Sequence, residues 1–256
     1  MNIDTEIKDE QLMRLASLYM EFNKENSDIV SGKILDLIEK KRNNEFVIGF
    51  AGHFSAGKSS MINELVGESI LPSSPIPTSA NVVKIKTGDP FVRIFYTNEP
   101  PVQFNGEMDI ENIQSLSIDG DKVKALEVSK PILHLPTGVT IMDTPGIDST
   151  NDADRIITEA NLHLIDILFY VMDYNHVQSE VNLSFLKEMQ AAGKDYYIIV
   201  NQVDKHSEHE LTFRDYNQSV HDALKNWELV PKGVFYTSLK QLDHPNNELN
   251  QVKHCF

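Results

Sequence analysis

Phe46-Val47-Ile48-Gly49-Phe50-Ala51-Gly52-His53-Phe54-Ser55-Ala56-Gly57-Lys58-Ser59-Ser60 is the stretch on which the fold turns. Phe46 to Ala51 is a short apolar run with the character of a buried strand. It enters Gly52-x-x-x-x-Gly57-Lys58-Ser59, the spacing G-x-x-x-x-G-K-[ST]. A helical pattern follows, with Met61, Ile62 and Leu65 on one face. Strand, glycine-bounded loop and helix, in that order, are what a phosphate-cradling loop requires. Such a loop turns backbone N–H groups toward phosphate oxygens, and the helix behind it adds the positive end of its dipole. Gly52, His53, Phe54, Ser55, Ala56, Gly57, Lys58, Ser59 and Ser60 are therefore the candidate phosphate contacts. Lys58 is expected to reach the terminal phosphates, and Ser59 to ligate Mg²⁺.

Around this stretch lie 256 residues, enough for one large domain or one with an appendage. Hydrophobic residues make up 41% and charged residues 24%, an ordinary globular balance with ample material for a core. The net charge of −15 argues against nucleic acid as a partner held through its phosphates. It equally disfavours this segment as the part that lies on anionic lipid. A single cysteine, Cys255, excludes an internal disulfide and fits a reducing compartment. Met1-Asn2-Ile3-Asp4-Thr5-Glu6 is not a secretory signal, since no basic region precedes an apolar core. No apolar run approaches the ~20 residues needed to span a bilayer. The expected location is cytoplasmic, peripheral to a membrane only through other parts or partners.

Taken in order, residues 4 to 24 read as a helix, with Leu12, Leu15, Tyr19 and Phe22 on one stripe. Residues 28 to 42 read as a second, with Val30, Ile34, Leu37 and Ile38 inward and Lys40, Lys41 and Arg42 in the last turn. This hairpin either packs on the domain that follows or joins a larger helical bundle. Pro72, Pro75 and Pro77 make 71 to 80 a stiff loop. Strands are expected at 82 to 86 and 91 to 96, and a short helix at 110 to 116 within an otherwise illegible 97 to 120. Val123 to Val128 reads as an edge strand, and Gly138 to Met142 as a core strand. Further on come a helix over 152 to 163, a strand over 165 to 172, a helix over 179 to 192 and a strand over 196 to 200. Ser207 and Glu210 form a capping box before a helix carrying Phe213, Tyr216, Val220, Leu224 and Trp227. The last strand is 234 to 236, with a polar tail from Leu239. Strands alternating with helices imply an α/β fold, a mostly parallel central sheet flanked by helices, with the helical hairpin in front. Such sheets bind ligands at the carboxyl ends of their strands, where all the candidate motifs fall.

A phosphate loop alone does not separate adenine from guanine. Asn201-Gln202-Val203-Asp204, with Lys205 beside it, does so at a strand end. The Asp204 carboxylate can accept both N1–H and the exocyclic NH₂ of guanine. Adenine offers neither in that arrangement and would leave a buried charge unsatisfied. Thr237, Ser238 and Leu239 follow the last strand, where backbone N–H groups can meet the guanine oxygen. Asp143-Thr144-Pro145-Gly146 also ends a strand; Asp143 is expected to hold Mg²⁺ through a water. The Gly146 N–H is expected at the γ-phosphate. Thr78, in the proline-rich loop, is the candidate second Mg²⁺ ligand. Thr78 and Gly146 would mark two segments ordered by the γ-phosphate and released after hydrolysis.

The wording Gly52-His53-Phe54-Ser55-Ala56-Gly57-Lys58-Ser59-Ser60, together with Leu71-Pro72-Ser73-Ser74-Pro75-Ile76-Pro77-Thr78-Ser79-Ala80-Asn81 and Asp143-Thr144-Pro145-Gly146, resembles the dynamin superfamily of large GTPases, bacterial dynamin-like proteins in particular. The likeness covers about residues 45 to 240. It implies a GTPase domain over 44–256, preceded by a neck-like helical segment over 1–43. Family members are usually much longer, with a stalk and a membrane-binding tip; the resemblance implies that this chain is a piece of such a protein. It further implies GTP hydrolysis to GDP and phosphate with Mg²⁺, stimulated when two GTPase domains meet face to face. The membrane role would be fusion, fission or repair, at the inner face. A second copy, or a paralogous dynamin-like chain, is the implied protein partner. Ser55 matches a family serine that helps place K⁺ or Na⁺ near the β- and γ-phosphates. That cation would offset charge developing in the transition state. Lys58, Ser55, Thr78 and Gly146 form the implied catalytic set.

The chain departs from the family at three points, one of them being Ile147-Asp148 after Gly146 where a glutamine would stand. Phe54 stands where dynamins proper carry a water-orienting glutamine, and a phenyl ring cannot orient water. Asp148, His53 or backbone near Thr78 are the alternatives. Gln202 replaces the usual lysine of the guanine motif, keeping a side chain able to lie over the base without its charge. Two further readings stand beside the dynamin-like one. A monomeric regulatory GTPase of the ribosome-assembly kind is opposed by the charge and the N-terminal helices. A non-hydrolysing, nucleotide-dependent interaction module is kept alive by Phe54.

Overall fold

The computed structural model describes residues 9–25, 27–53, 55–72, 81–119, 122–146 and 161–255. Its strands are β1 (Phe46–Gly52), β2 (Val82–Thr87), β3 (Phe91–Tyr96), β4 (Val102–Asn105), β5 (Val123–Lys130), β6 (Val139–Asp143), β7 (Ile167–Asp173), β8 (Asp195–Asn201) and β9 (Val234–Thr237). Among the described residues these nine form one sheet, ordered β4-β3-β5-β2-β6-β1-β7-β8-β9. The run β6-β1-β7-β8-β9 is parallel throughout. Strand β2 is parallel to β5 but antiparallel to β6, and β3 is antiparallel to both of its neighbours. The fold is thus α/β with a mostly parallel sheet. The five parallel strands end on Asp143, Gly52, Asp173, Asn201 and Thr237, all along one edge.

The parallel strands are buried on both faces, which is why their sequences read as continuous apolar runs. One face carries Ile48, Phe50, Ile141, Phe169 and Ile199 against Met61 and Ile62 of α3 (Lys58–Val66). The other carries Val47, Met142, Tyr170, Met172 and Ile198 against Leu183 and Leu186 of α5 (Glu180–Ala191) and Val220 and Leu224 of α6 (Phe213–Asn226). Phe50, Phe169 and Tyr197 stack across three strands at 5.4 and 5.1 Å between centroids. Burying a side chain such as Phe50 stabilises the fold by about 2 kcal/mol.

The hairpin of α1 (Glu10–Lys24) and α2 (Asp28–Arg42) precedes the sheet. Asp9 caps α1 by accepting from the N–H groups of Gln11 and Leu12. Helix α2 packs on this chain's own residues 162–166. Lys40 Nζ donates to Leu164 O at 2.6 Å and pairs with Asp166 Oδ2 at 2.7 Å, and His163 meets Asp36 at 3.2 Å. Helix α1 buries none of its residues fully. Two helices complete the described set, α4 (Ile110–Ile118) and the short α7 (Leu249–Lys253).

Several expectations are corrected. Strand β5 is interior, between β3 and β2. Its polar residues suggested an edge, but Glu127 is 7% exposed and paired with Lys86 and Arg93. The edge on that side is β4, exposed along its whole length and carrying no burial pattern to read. Ser207 and Glu210 do not cap α6. Ser207 O accepts from Glu210 N in a turn, and Thr212 caps instead, its hydroxyl accepting from Asp215 N at 3.2 Å. The helix expected over 152 to 163 lies mostly outside the described residues; Leu162–Leu164 form one 3₁₀ turn. Helix α7 was not anticipated within the polar tail.

Candidate nucleotide site along the strand ends

Gly52 closes β1 at φ +148°, and a Cβ there would lie 2.0 Å from Val171 O of β7. Gly57 opens α3 at φ +94°, and its Cβ would lie 2.5 Å from Asn201 Nδ2. Both motif glycines are thus demanded by backbone conformation and by a close neighbour. Helix α3 has no side-chain cap and no acidic residue in its first turn. The positive end of its dipole therefore meets the loop without a side-chain cap or a carboxylate of its own.

Lys58 is 7% exposed, and its ammonium donates to Gly52 O at 3.0 Å and His53 O at 3.2 Å. Ser59 Oγ donates to Asp143 Oδ2 at 2.9 Å, joining α3 to the end of β6. Asp143 is 2% exposed, and its Oδ1 is buried without a hydrogen-bond partner. Burial pushes its carboxyl from 3.8 to about 6, against the Lys58 charge, the Ser59 hydroxyl and the Thr144 N–H. A hydroxyl and a buried carboxylate with an unsatisfied oxygen form an oxygen donor set of the kind Mg²⁺ takes. Ser59 and Asp143 therefore fit that ion, which supplies charge neutralisation at phosphate oxygens when bound. Thr144 anchors the segment after β6, its hydroxyl donating to Phe50 O at 2.9 Å. Gly146 follows, half-buried, two residues on.

The far end of the site is built on β8 and β9. Asn201 Nδ2 donates to Ala56 O at 2.9 Å, and its Oδ1 accepts from Thr237 Oγ1 at 3.1 Å. Gln202, at φ 67°, donates from Nε2 to Ser55 O at 3.0 Å. Asp204 Oδ1 accepts from Ser238 Oγ at 2.6 Å, and that hydroxyl accepts in turn from the N–H groups of Lys240 and Gln241. Thr237 and Ser238 are fully buried, Leu239 is half-buried, and Lys205 is exposed. The arrangement offers a carboxylate that accepts from the Ser238 hydroxyl, at the end of β8 beyond Asn201.

The structure brings together Gly52, Ser55, Ala56, Gly57, Lys58, Ser59, Asn201, Gln202 and Thr237, with Asp143 next to Ser59 and Asp204 next to Ser238. Ser60 lies in the first turn of α3. The His53 side chain turns under the loop to Asp173, at 2.6 Å. Phe54, Thr78 and Asp148 lie outside the described residues. Sequence reasoning missed Asp173, which ends β7 as the other site residues end their strands; that position was the available signal.

Residues 48–204 match the sequence profile of the Dynamin family. Dynamin-like protein A of Bacillus subtilis (strain 168) is 37% identical over 244 residues, covering 95% of this chain and 20% of that protein. Dynamin-like protein 1 of Campylobacter jejuni is 24% identical over 222 residues, 71% of this chain and 30% of that protein. A solved structure of an oligomerised bacterial dynamin pair, described as a mechanism for long-range sensing and tethering of membranes, aligns with TM-score 0.65 at 18% identity. That alignment covers 95% of this chain and 42% of the other, and speaks for the fold. The chain thus spans between a fifth and about two fifths of the length of these three proteins. A profile match across 48–204, with 37% identity along nearly the whole chain, establishes that this chain belongs to the dynamin family.

Proposed function

We propose that residues 44–256 are a GTP-binding and GTP-hydrolysing domain, and residues 1–43 the start of a helical neck, in a longer membrane-remodelling protein. The observation that carries this reading is the meeting of two kinds of group along one sheet edge. Lys58, Ser59 and Asp143 suit a Mg²⁺-bound polyphosphate, and Asp204 suits guanine, with Asn201 between them. In this reading Lys58 leaves the loop carbonyls for the phosphates, as the α3 N–H groups take equatorial oxygens. Asp204 accepts from N1–H and the exocyclic amine, with Gln202, Lys205, Ser238 and Leu239 around the base. Gly146 and Thr78 sense the γ-phosphate. Ser55 helps seat K⁺ or Na⁺ against charge that develops during cleavage.

Turnover is stimulated when two such domains meet face to face, as a self-pair or with a dynamin-like paralogue. Nucleic acid is not a partner. No helix of the described residues is long and apolar enough to cross a membrane. The membrane would be reached through other parts of the longer protein, at its inner face. The test is GTP turnover per molecule against protein concentration, in K⁺, in Na⁺ and in neither. Specific activity rising with concentration supports the paired mechanism, and a flat curve removes it. Absence of turnover at every concentration, with GTP still bound, would leave a nucleotide-dependent interaction module.

A further inference from the structure

His53, Asp173 and His176 meet where the phosphate loop leaves β1, with β1 between Asp173 at the end of β7 and Asp143 at the end of β6. His53 Nε2 lies 2.6 Å from Asp173 Oδ2, and His176 Nδ1 lies 2.7 Å from the same oxygen. The three atoms all fall within 4.8 Å of one another. We propose that these residues bind a divalent transition-metal ion of the Zn²⁺ type, which staples the phosphate loop to the turn between β7 and α5.

The donor set argues for that class of ion. Two imidazoles and a carboxylate suit Zn²⁺, Co²⁺ and Ni²⁺, whereas Mg²⁺ and Ca²⁺ prefer oxygen alone. One buried carboxylate needs one imidazolium for compensation. A second imidazole on the same oxygen exceeds that need, and it is what a metal site requires. In a tetrahedral site an ion bonded at roughly 2.0–2.2 Å to each atom sets ligand separations of roughly 3.3–3.6 Å. The two N···O contacts therefore have to open by roughly 0.6–1 Å, and His53 Nε2 gives up the Asp173 N–H that it accepts at 3.3 Å. Each ring then carries its proton on the nitrogen facing away from the ion. For His176 that nitrogen is on a side chain 66% exposed, where solvent solvates it.

The ligands are also held from behind. Asp173 Oδ1 accepts from Asn175 N at 2.9 Å, leaving Oδ2 for the cluster. His176 O accepts from Asn182 Nδ2 at 2.8 Å, and Asn182 Oδ1 accepts from Tyr170 O–H at 2.8 Å. Asn182 is 1% exposed and Tyr170 fully buried, so the turn carrying His176 is fixed by the core. The two rings stand edge to face, centroids 5.5 Å apart at 71°. Partners of this kind raise metal affinity by orienting the ligands before the ion arrives. His53 and Asp173 are 6% and 4% exposed, so the entrance is on the His176 side. His53 O also accepts from Lys58 Nζ, so an ion here would restrain the residue that holds the phosphate-loop lysine.

The test is Co²⁺ absorption and Zn²⁺ calorimetry on the intact chain, with Mg²⁺ in excess. The variants are His176→Ala and, as a control among the chain's 9 histidines, His254→Ala beside the exposed Cys255. His176 lies on the surface, so its variant folds, and circular dichroism verifies this. The wild type is expected to take one Co²⁺ with visible d–d bands, and His176→Ala to bind at least roughly 10- to 100-fold more weakly. His254→Ala is expected to behave as wild type. Equal affinity in wild type and His176→Ala overturns the proposal, as does failure of the wild type to bind at millimolar Co²⁺. Loss of binding in His254→Ala alone overturns it too. None of these readouts depends on GTP turnover, so this site and the GTPase reading can fail separately.

Discussion

Replacing Asp143 with asparagine is expected to stabilise the metal-free protein. The carboxylate is buried, its Oδ1 lacks a partner, and its titration moves from 3.8 to about 6. Such a rise corresponds to about 3 kcal/mol against the charged form, with the Lys58 attraction already counted. The sign follows directly. A carboxyl raised in the folded state costs nothing below its unfolded value of 3.8 and its full penalty above about 6. Asparagine removes the charge and keeps an oxygen for the Ser59 hydroxyl. It leaves an amide N–H where Oδ1 stood, at a cost of about 1 kcal/mol. The net gain is about 2 kcal/mol, or roughly 4–8 °C in Tm for a chain of this size. The assay is thermal unfolding of both proteins in chelator from pH 4 to pH 7.5. The variant melts higher at pH 7.5, and its advantage fades as pH falls through about 6. Excess Mg²⁺ with nucleotide reverses the order, because only the wild type gains. A variant that melts below wild type in chelator at pH 7.5 refutes the reasoning, as does an advantage that persists unchanged to pH 4.

Three further outcomes are expected. Asp204→Asn shifts preference from guanine toward xanthine nucleotide by roughly 10- to 100-fold in competition binding, since an amide donates where the carboxylate only accepted; retained guanine preference removes Asp204 from the base. Gly52→Ala loses on the order of 3 kcal/mol or more by urea unfolding, because the added Cβ meets Val171 O at 2.0 Å; an unchanged midpoint contradicts the packing of β1 on β7. Lys40→Ala loosens α2 from residues 164–166 by about 2 kcal/mol, read as faster chymotryptic cleavage within 1–43; equal cleavage rates place the hairpin's restraint elsewhere.

The parallel strands were legible because each is apolar on both faces, and β1, β7 and β8 announce themselves by that alone. The antiparallel half was not. In β5 a buried glutamate, Glu127, imitates solvent exposure, because its partners Lys86 and Arg93 come from strands distant in sequence. Strand β4 exists through its pairing with β3 and has no burial of its own to signal it. The false cap at Ser207 shows the limit of a local pattern: the same spacing serves a turn five residues before the true cap at Thr212. Candidate residues carried by motifs with a fixed loop geometry, such as Lys58, Ser59 and Asn201, could be named from spacing. Asp173 had only its place at the end of an apolar strand to mark it, and His176 had nothing, since only the fold brings them to His53.

Asn201 has a consequence beyond its hydrogen bonds. One amide group holds Ala56 O with its nitrogen and the Thr237 hydroxyl with its oxygen, and Gln202 adds a second tie to Ser55 O. These bonds tie the loop after β1 to the ends of β8 and β9. On the reading proposed above, the span between them is set before any ligand arrives, and the site acts as a ruler. Guanosine and pyrophosphate supplied as separate molecules would each occupy half of it, and neither would help the other. Joined in one molecule, the second half docks at high effective concentration. Preference for the intact nucleotide then resides in a length, kept by the side chains of Asn201 and Gln202.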